Sequence, residues 1–249
     1  MGKIRNKPWA TGPKELMDHA DSHIKSDKAF DHRIALISID NSVELMIRTY
    51  LSLPKRDRGR DGPSRKKMES ASGFPDLLDL LEEYAEDLIT GIELGDIEWY
   101  HRIRNNLYHE GNGITVDKEQ LVSYREIARV LYQNLFNIKM EPVAKGPTGV
   151  FLENWAELEN RIRTAALKHI TKPHHRPPEQ LVQILRDNNI IDEKFVSSFN
   201  SLRKTRNSLA HGYGLSGLDA AYIMQELLQL VNSLPTWKNS EAKKPKNIG

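Results

Sequence analysis

The sequence predicts an all-α protein, built as two tandem antiparallel helical bundles that form an intramolecular pseudo-dimer. Three observations predict it. Apolar residues recur at three- and four-residue spacing through most of the 249 residues, alternating β-type runs are absent, and the second half repeats signature residues of the first. The length suits two domains of about 125 residues, each able to bury a core. The predicted bundles cover residues 14–138 and 149–235, with flexible basic tails at 1–13 and 236–249.

Between residues 16 and 53, Phe30, Ile34, Ile37, Val43, Met46, Ile47 and Leu51 share one stripe, which predicts two helices with a break near Ser26-Asp27. From Pro54 to Gly73 that pattern stops, and Pro, Gly and Ser mark a mobile loop carrying Lys55, Arg56, Arg58, Arg60, Arg65, Lys66 and Lys67. Pro75 suits the start of a helix along which Leu77, Leu78, Leu81, Tyr84, Ala85 and Leu88 follow at helical spacing before Gly91. A further helix spans Asp96 to His109, and Asp117 caps the next one, with Leu121, Tyr124, Ile127, Leu131 and Leu135 on its apolar face. A linker is predicted over 140–149. Helices follow over 151–170, 179–188, from the cap Asp192 to Ala210, and over 218–234, whereas KPHHRPP at 172–178 breaks the pattern.

The repeat rests on three short matches. Glu44, Ile47 and Arg48 align with Glu159, Ile162 and Arg163 at an offset of 115. Pro75, Leu78 and Leu81 align with Pro178, Leu181 and Ile184 at 103, and Arg104-Asn105-x-x-x-His109 with Arg206-Asn207-x-x-x-His211 at 102. The drop in offset matches the extra length of the basic loop in the first copy.

Composition narrows the function. Lys plus Arg is 36 against 34 for Asp plus Glu, mean hydropathy is −0.58, and there is no cysteine. Disulfides, thiolate metal sites and a catalytic thiol are excluded, no apolar run reaches membrane-span length, and a cytoplasmic location is expected. The charge is unevenly spread: 1–14 carries +4, 54–67 carries +5, and 168–176 and 236–249 carry +3 each. Basic segments on an acidic body suit electrostatic capture of RNA. His19 and His23, with Asp18 and Asp21, have a metal-like spacing but lack a third ligand, so a solvated face is expected there.

With 17 Arg, 16 Asn and 9 His, the pattern R-N-x-x-x-H is expected by chance about 0.04 times in a chain of this composition. It occurs twice, each time at the end of a predicted helix and followed by glycine, Gly111 or Gly212. Asn105 and His109 lie about 40° apart on one helix face and Arg104 about 140° from His109. If the two helix ends face each other, two imidazoles, two guanidiniums and two amides surround one groove. A neutral imidazole can take the proton of a ribose 2′-hydroxyl, an imidazolium can protonate the departing 5′ oxygen, and arginine can stabilise the phosphate. No metal or cofactor is required.

At these residues the chain resembles the HEPN family, all-α bundles marked by an arginine, a polar residue and a histidine a few positions on. The resemblance implies a composite, metal-independent endoribonuclease site, formed in tandem or in a homodimer, often in toxins or bacterial antiviral defence effectors. By that resemblance Arg104, Asn105, His109, Arg206, Asn207 and His211 are the site residues. The second copy, R-N-S-L-A-H-G-Y, is also similar to HEPN toxins paired with nucleotidyltransferase antitoxins, in which the tyrosine, here Tyr213, is adenylylated. The first copy has Gly111 at that place. A non-catalytic RNA-binding or signalling module is the alternative.

Overall fold

A computed structural model describes residues 7–26, 28–110, 116–142, 146–170, 176–215 and 218–234, with backbone alone at 108–110 and 218. The described residues form eleven α-helices and two 3-10 turns, with no strand among them. Residues 1–6 and 236–249 of the expected tails, 235 at the end of the expected second bundle, 143–145 of the expected linker, Gly111, His174 and His175 lie outside the described residues.

The first hairpin is α1 (Thr11–Ser26) and α2 (Ala29–Ser52), separated where the spacing predicts. Its buried stripe starts at Ala35 and Leu36 and runs through Ile39, Val43, Met46, Ile47 and Leu51. Phe30 departs from the expected stripe. It sits in the first turn of α2, 62% exposed, with the Arg33 guanidinium 5.8 Å from its ring centroid.

The segment 54–73 is not a bare loop, because α3 (Lys55–Arg58) and α4 (Arg65–Ser70) form within it. Helices this short are unstable alone and take their stability from the body of the protein. Arg58 donates to the carbonyl of Leu51 at 2.6 Å, Arg60 forks onto Asp87, and Lys67 reaches Glu83 at 2.7 Å. Residues 7–13 likewise are not a free tail. Lys7 donates to the Phe136 carbonyl at 2.5 Å, Tyr132 donates to the Ala10 carbonyl at 3.1 Å, and Ala10 and Pro13 are buried.

α5 (Phe74–Ala85) starts at an acidic cap: Asp76 accepts from the backbone N–H groups of Gly73 and Ser72 at 3.1 and 2.9 Å. Those donors hold its carboxyl below the ordinary value of 3.8. A lowered folded value contributes stability above the unfolded value, and that contribution is lost as pH falls through the folded one. Asp76→Asn is therefore expected to lower the melting temperature at neutral pH. Thermal scans should show the difference vanishing in strong acid, where both side chains are neutral.

α6 (Leu94–Glu110) and α7 (Lys118–Phe136) complete the first bundle. Asp117 opens α7 as expected, its N–H donating to Gln120 at 3.2 Å, and Asn137 closes it in the left-handed region at φ 51°. Helix α7 packs on both sides, so even its charged residues Arg125, Glu126 and Arg129 are buried. Each is paired: Arg125 forks onto Asp21 at 2.7 and 2.9 Å, and Arg129 meets Glu126 at 2.6 Å.

The expected linker over 140–149 is shorter than the Pro and Gly residues suggest. Met140 is buried, and Pro147 opens α8 (Pro147–Ala166) at a position where a missing N–H costs nothing. α9 (Pro178–Asp187), α10 (Glu193–Ala210) and α11 (Leu218–Ser233) follow. Asp192 caps α10 as expected, accepting from Phe195 N–H at 2.8 Å.

Buried apolar residues fall into two clusters. One gathers α1, α2, α5, α6 and α7, and the other gathers α8 to α11 around Phe151, Trp155, Phe199 and Leu202. The seam between them is tight. Gly91, at φ +82°, lies against Ala156, and its N–H donates to Glu159 at 3.0 Å. Gly212, at φ +86°, leaves no room for a side chain beside the backbone of Gln120.

Candidate functional site

The two motif copies occupy different surroundings. Arg104 lies on α6 facing α2, with Nε 3.2 Å from Asp40, Nη2 donating to Asn41 at 2.8 Å and Nη1 donating to Asn105 at 2.9 Å. Asp40 is fully buried; it also accepts from the Tyr124 hydroxyl at 2.8 Å and faces His101 Nδ1 at 3.0 Å. Tyr124 stacks on Tyr100 with ring centroids 4.2 Å apart, and Tyr100 donates across the seam to the Ala210 carbonyl at 2.7 Å. Burial pushes both phenols well above their ordinary range, so they act as neutral donors.

Arg206 instead crosses the seam. It is 1% exposed and pairs with Asp96 in the first turn of α6, with Glu93 3.5 Å away. Its Nε and Nη2 and the Asn207 Oδ1 have no hydrogen-bond partner among the described residues. His211 ends α10 with its Nε2 3.6 Å from Asp96. That distance is too long for a hydrogen bond but makes an ion pair when the ring is protonated. The imidazole is 38% exposed and packs edge-on against Trp99, centroids 4.8 Å apart. Glu159 lies behind the seam, accepting from Trp155 at 2.7 Å and from Gly91, and burial raises its carboxyl above the ordinary range.

A twofold relation between the copies would turn the Arg206–Asp96 contact into one between Arg104 and residue 198. Arg104 points into its own bundle, and Ser198 donates to Glu226 of its own. The seam contacts are thus one-sided. Residues 96 and 109 stand near opposite ends of the 17-residue α6, separated by about 20 Å of helix rise. The described contacts bring Arg206 and His211 together with Asp96 and Trp99, and Arg104 with Asn105, Asp40 and His101. They do not bring the two motifs around one point, and the side chain of His109 lies outside the described residues.

Sequence reasoning missed Asp40, Asp96, Trp99, His101 and Tyr124. A signal existed for Asp40: it interrupts the apolar stretch IALISIDNSVELMI at core spacing from Leu36 and Val43, which marks an acid with a buried partner. Asp96, Trp99 and His101 had none, since what they meet comes from remote parts of the chain.

Of the loop cations, Arg58, Arg60 and Lys67 are tied to the body, while Lys55 and Arg65 pair with the exposed Asp61 and Glu69, Arg56 pairs with the partly buried Asp57, and Lys66 is exposed. Such surface pairs are weak and yield readily to phosphate. A cavity of about 710 Å³ lies elsewhere on the seam, between Asp87 and Asn134 on one side and Glu153, Asn154, Glu157 and Asn160 on the other. No cation lines it among the described residues, which makes it a poor receptor for a phosphodiester. His19 and His23 stack edge to face and His23 pairs with Asp31; the described residues hold no cluster of metal-ligating side chains. Comparison with protein-family models, with curated proteins and with solved structures found no match in any of the three.

Proposed function

We propose that the chain is a metal-independent endoribonuclease of HEPN type that acts in the cytoplasm as a defence or toxin effector. The observation that supports this reading best is the half-exposed His211 imidazole, held between Asp96 and Trp99 where the motif helices α6 and α10 meet. In this reading a motif imidazole takes the proton of a ribose 2′-hydroxyl. The 2′ oxygen attacks phosphorus, the P–O5′ bond breaks, and the 5′ oxygen is protonated by a second imidazolium, leaving a 2′,3′-cyclic phosphate. His211 and His109 supply the two imidazoles once RNA or a second copy of the chain draws the motifs together. Asp96 stabilises the His211 imidazolium, and Arg104, Asn105 and Asn207 orient the phosphate. The test is cleavage of RNA in EDTA with analysis of the ends. Full activity in a His109→Ala/His211→Ala variant would overturn the reading.

A second reading is favoured by the burial of Arg206. A guanidinium enclosed in the seam holds the bundles together and does not face a phosphate, as befits a non-catalytic RNA-binding or signalling module. RNA retained without turnover, at an affinity unchanged in either histidine variant, would select it.

RNA capture is assigned to the exposed loop cations. Replacing Lys55, Arg56, Arg65 and Lys66 by alanine is expected to weaken binding and to flatten its dependence on salt, by about one in the log–log slope for each phosphate that is no longer neutralised. Fluorescence anisotropy at several salt concentrations measures this. Tyr213 is 72% exposed, so its hydroxyl is open to adenylylation by a nucleotidyltransferase partner; an unchanged mass after incubation with ATP and such an enzyme would count against that role.

A further inference from the structure

His101 is not part of either motif, yet it has the setting of a proton-transfer group. Its Nδ1 faces the Oδ2 of Asp40 at 3.0 Å, and its ring lies flat on Phe74, centroids 3.9 Å apart and 12° from parallel. A carboxylate on Nδ1 fixes the tautomer that leaves Nε2 as the basic nitrogen, the arrangement by which a buried aspartate prepares an imidazole for catalysis. The side chain is 12% exposed, so an edge of it reaches solvent. Arg104 and Asn105 follow three and four residues later on the same face of α6. The same Asp40 carboxylate meets Arg104, which ties guanidinium and imidazole to one anchor. The groups facing His101 are thus Asp40 from α2, Phe74 from α5 and Arg104 on its own helix. The repeat offset places Arg203 at the equivalent point of the second copy, where it pairs with Glu179, so this unit belongs to the first copy alone.

We propose that His101 is a catalytic residue that takes the place of one motif imidazole as base: it accepts the ribose 2′-hydroxyl proton beside an Arg104-bound phosphate, the 2′ oxygen bonds to phosphorus as the P–O5′ bond breaks, and a motif imidazolium protonates the departing 5′ oxygen, with Asp40 as the positioning residue of His101. The inference rests on the ribonuclease reading and deepens it. It gives the first motif an imidazole next to its arginine without requiring the motifs to converge.

The test is His101→Asn in the full chain. Asparagine keeps a donor where Nδ1 stood and so retains the contact with Asp40, but it has no distal nitrogen. Cleavage is expected to fall about 100-fold or more in kcat with KM within about twofold, while the melting temperature stays near that of the parent. Asp40→Asn should also lower kcat and should change the His101 tautomer in ¹⁵N spectra. Wild-type turnover in His101→Asn would overturn the assignment while leaving the nuclease reading in place. A second readout is independent of turnover: a 2′-deoxy oligonucleotide added to the labelled chain should shift the His101 ring signals and leave those of His19 unmoved. Unmoved His101 signals would overturn the assignment even if no RNA is cleaved, and absence of cleavage alone overturns only the nuclease reading.

Discussion

Arg206→Ala is expected to destabilise the folded chain by about 3–5 kcal/mol, the usual consequence of leaving one member of a buried ion pair without its partner. Asp96 would then sit at the seam with its principal counter-charge gone and Glu93 close by as a like charge. Urea unfolding followed by tryptophan fluorescence measures the loss. A change within about 0.5 kcal/mol, the range of ordinary surface substitutions, would mean that this seam does not form in solution. The double variant Arg206→Met/Asp96→Leu should recover most of the stability, because well-packed apolar residues can replace a buried pair at little cost. That variant also separates the two functional readings. If the pair serves only to hold the bundles together, RNA binding survives with stability. If Asp96 prepares His211, cleavage stays low in a protein that folds normally.

Gly91→Val is expected to cost about 3 kcal/mol or more. A non-glycine residue in the left-handed region costs about 1–2 kcal/mol, and forced overpacking typically adds about 1–3. Here a Cβ at residue 91 would stand 2.6 Å from the Cα of Ala156, on the backbone of α8, which has no freedom to rotate away. The N–H that satisfies Glu159 moves with the segment that carries it, so the buried carboxylate loses a donor as well. The two hydrophobic clusters should then unfold less cooperatively, with Trp155 in the second reporting a transition apart from far-UV circular dichroism. Ala156→Gly in the same chain should recover part of the loss. A single coincident transition at wild-type stability would rule out the close approach.

The helices were legible because their signals are local. The break near residue 27, the caps Asp117 and Asp192, and the stripe through Val43, Ile47 and Leu51 depend on neighbours within a turn or two, and all stand where the spacing places them. Segment 54–73 failed as a loop for the converse reason. Its sequence has no apolar periodicity, and its two short helices rest on Leu51, Asp87 and Glu83, which lie outside it in the chain. Phe30 failed because an amphipathic stripe gives the face of a helix, but not where along it a neighbour ceases to cover that face.

The candidate site divides along the same line. Arg104, Asn105, Arg206, Asn207 and His211 could be picked out because a repeated spacing is a property of the sequence. Their different employment could not: Arg104 turns to Asp40 within its bundle, and Arg206 is sealed against Asp96 across the seam.

By itself the sequence determined an all-helical chain, the boundaries of its longer helices and a duplicated polar motif, since periodicity, capping and spacing act over a few residues. Only the tertiary structure decided which acids meet which arginines and histidines, how the two cores abut at Gly91, and that the motif copies are unequal. Those outcomes depend on burial and charge pairing between segments about 60 to 110 residues apart, where desolvation makes each partner's identity matter and no local pattern records it.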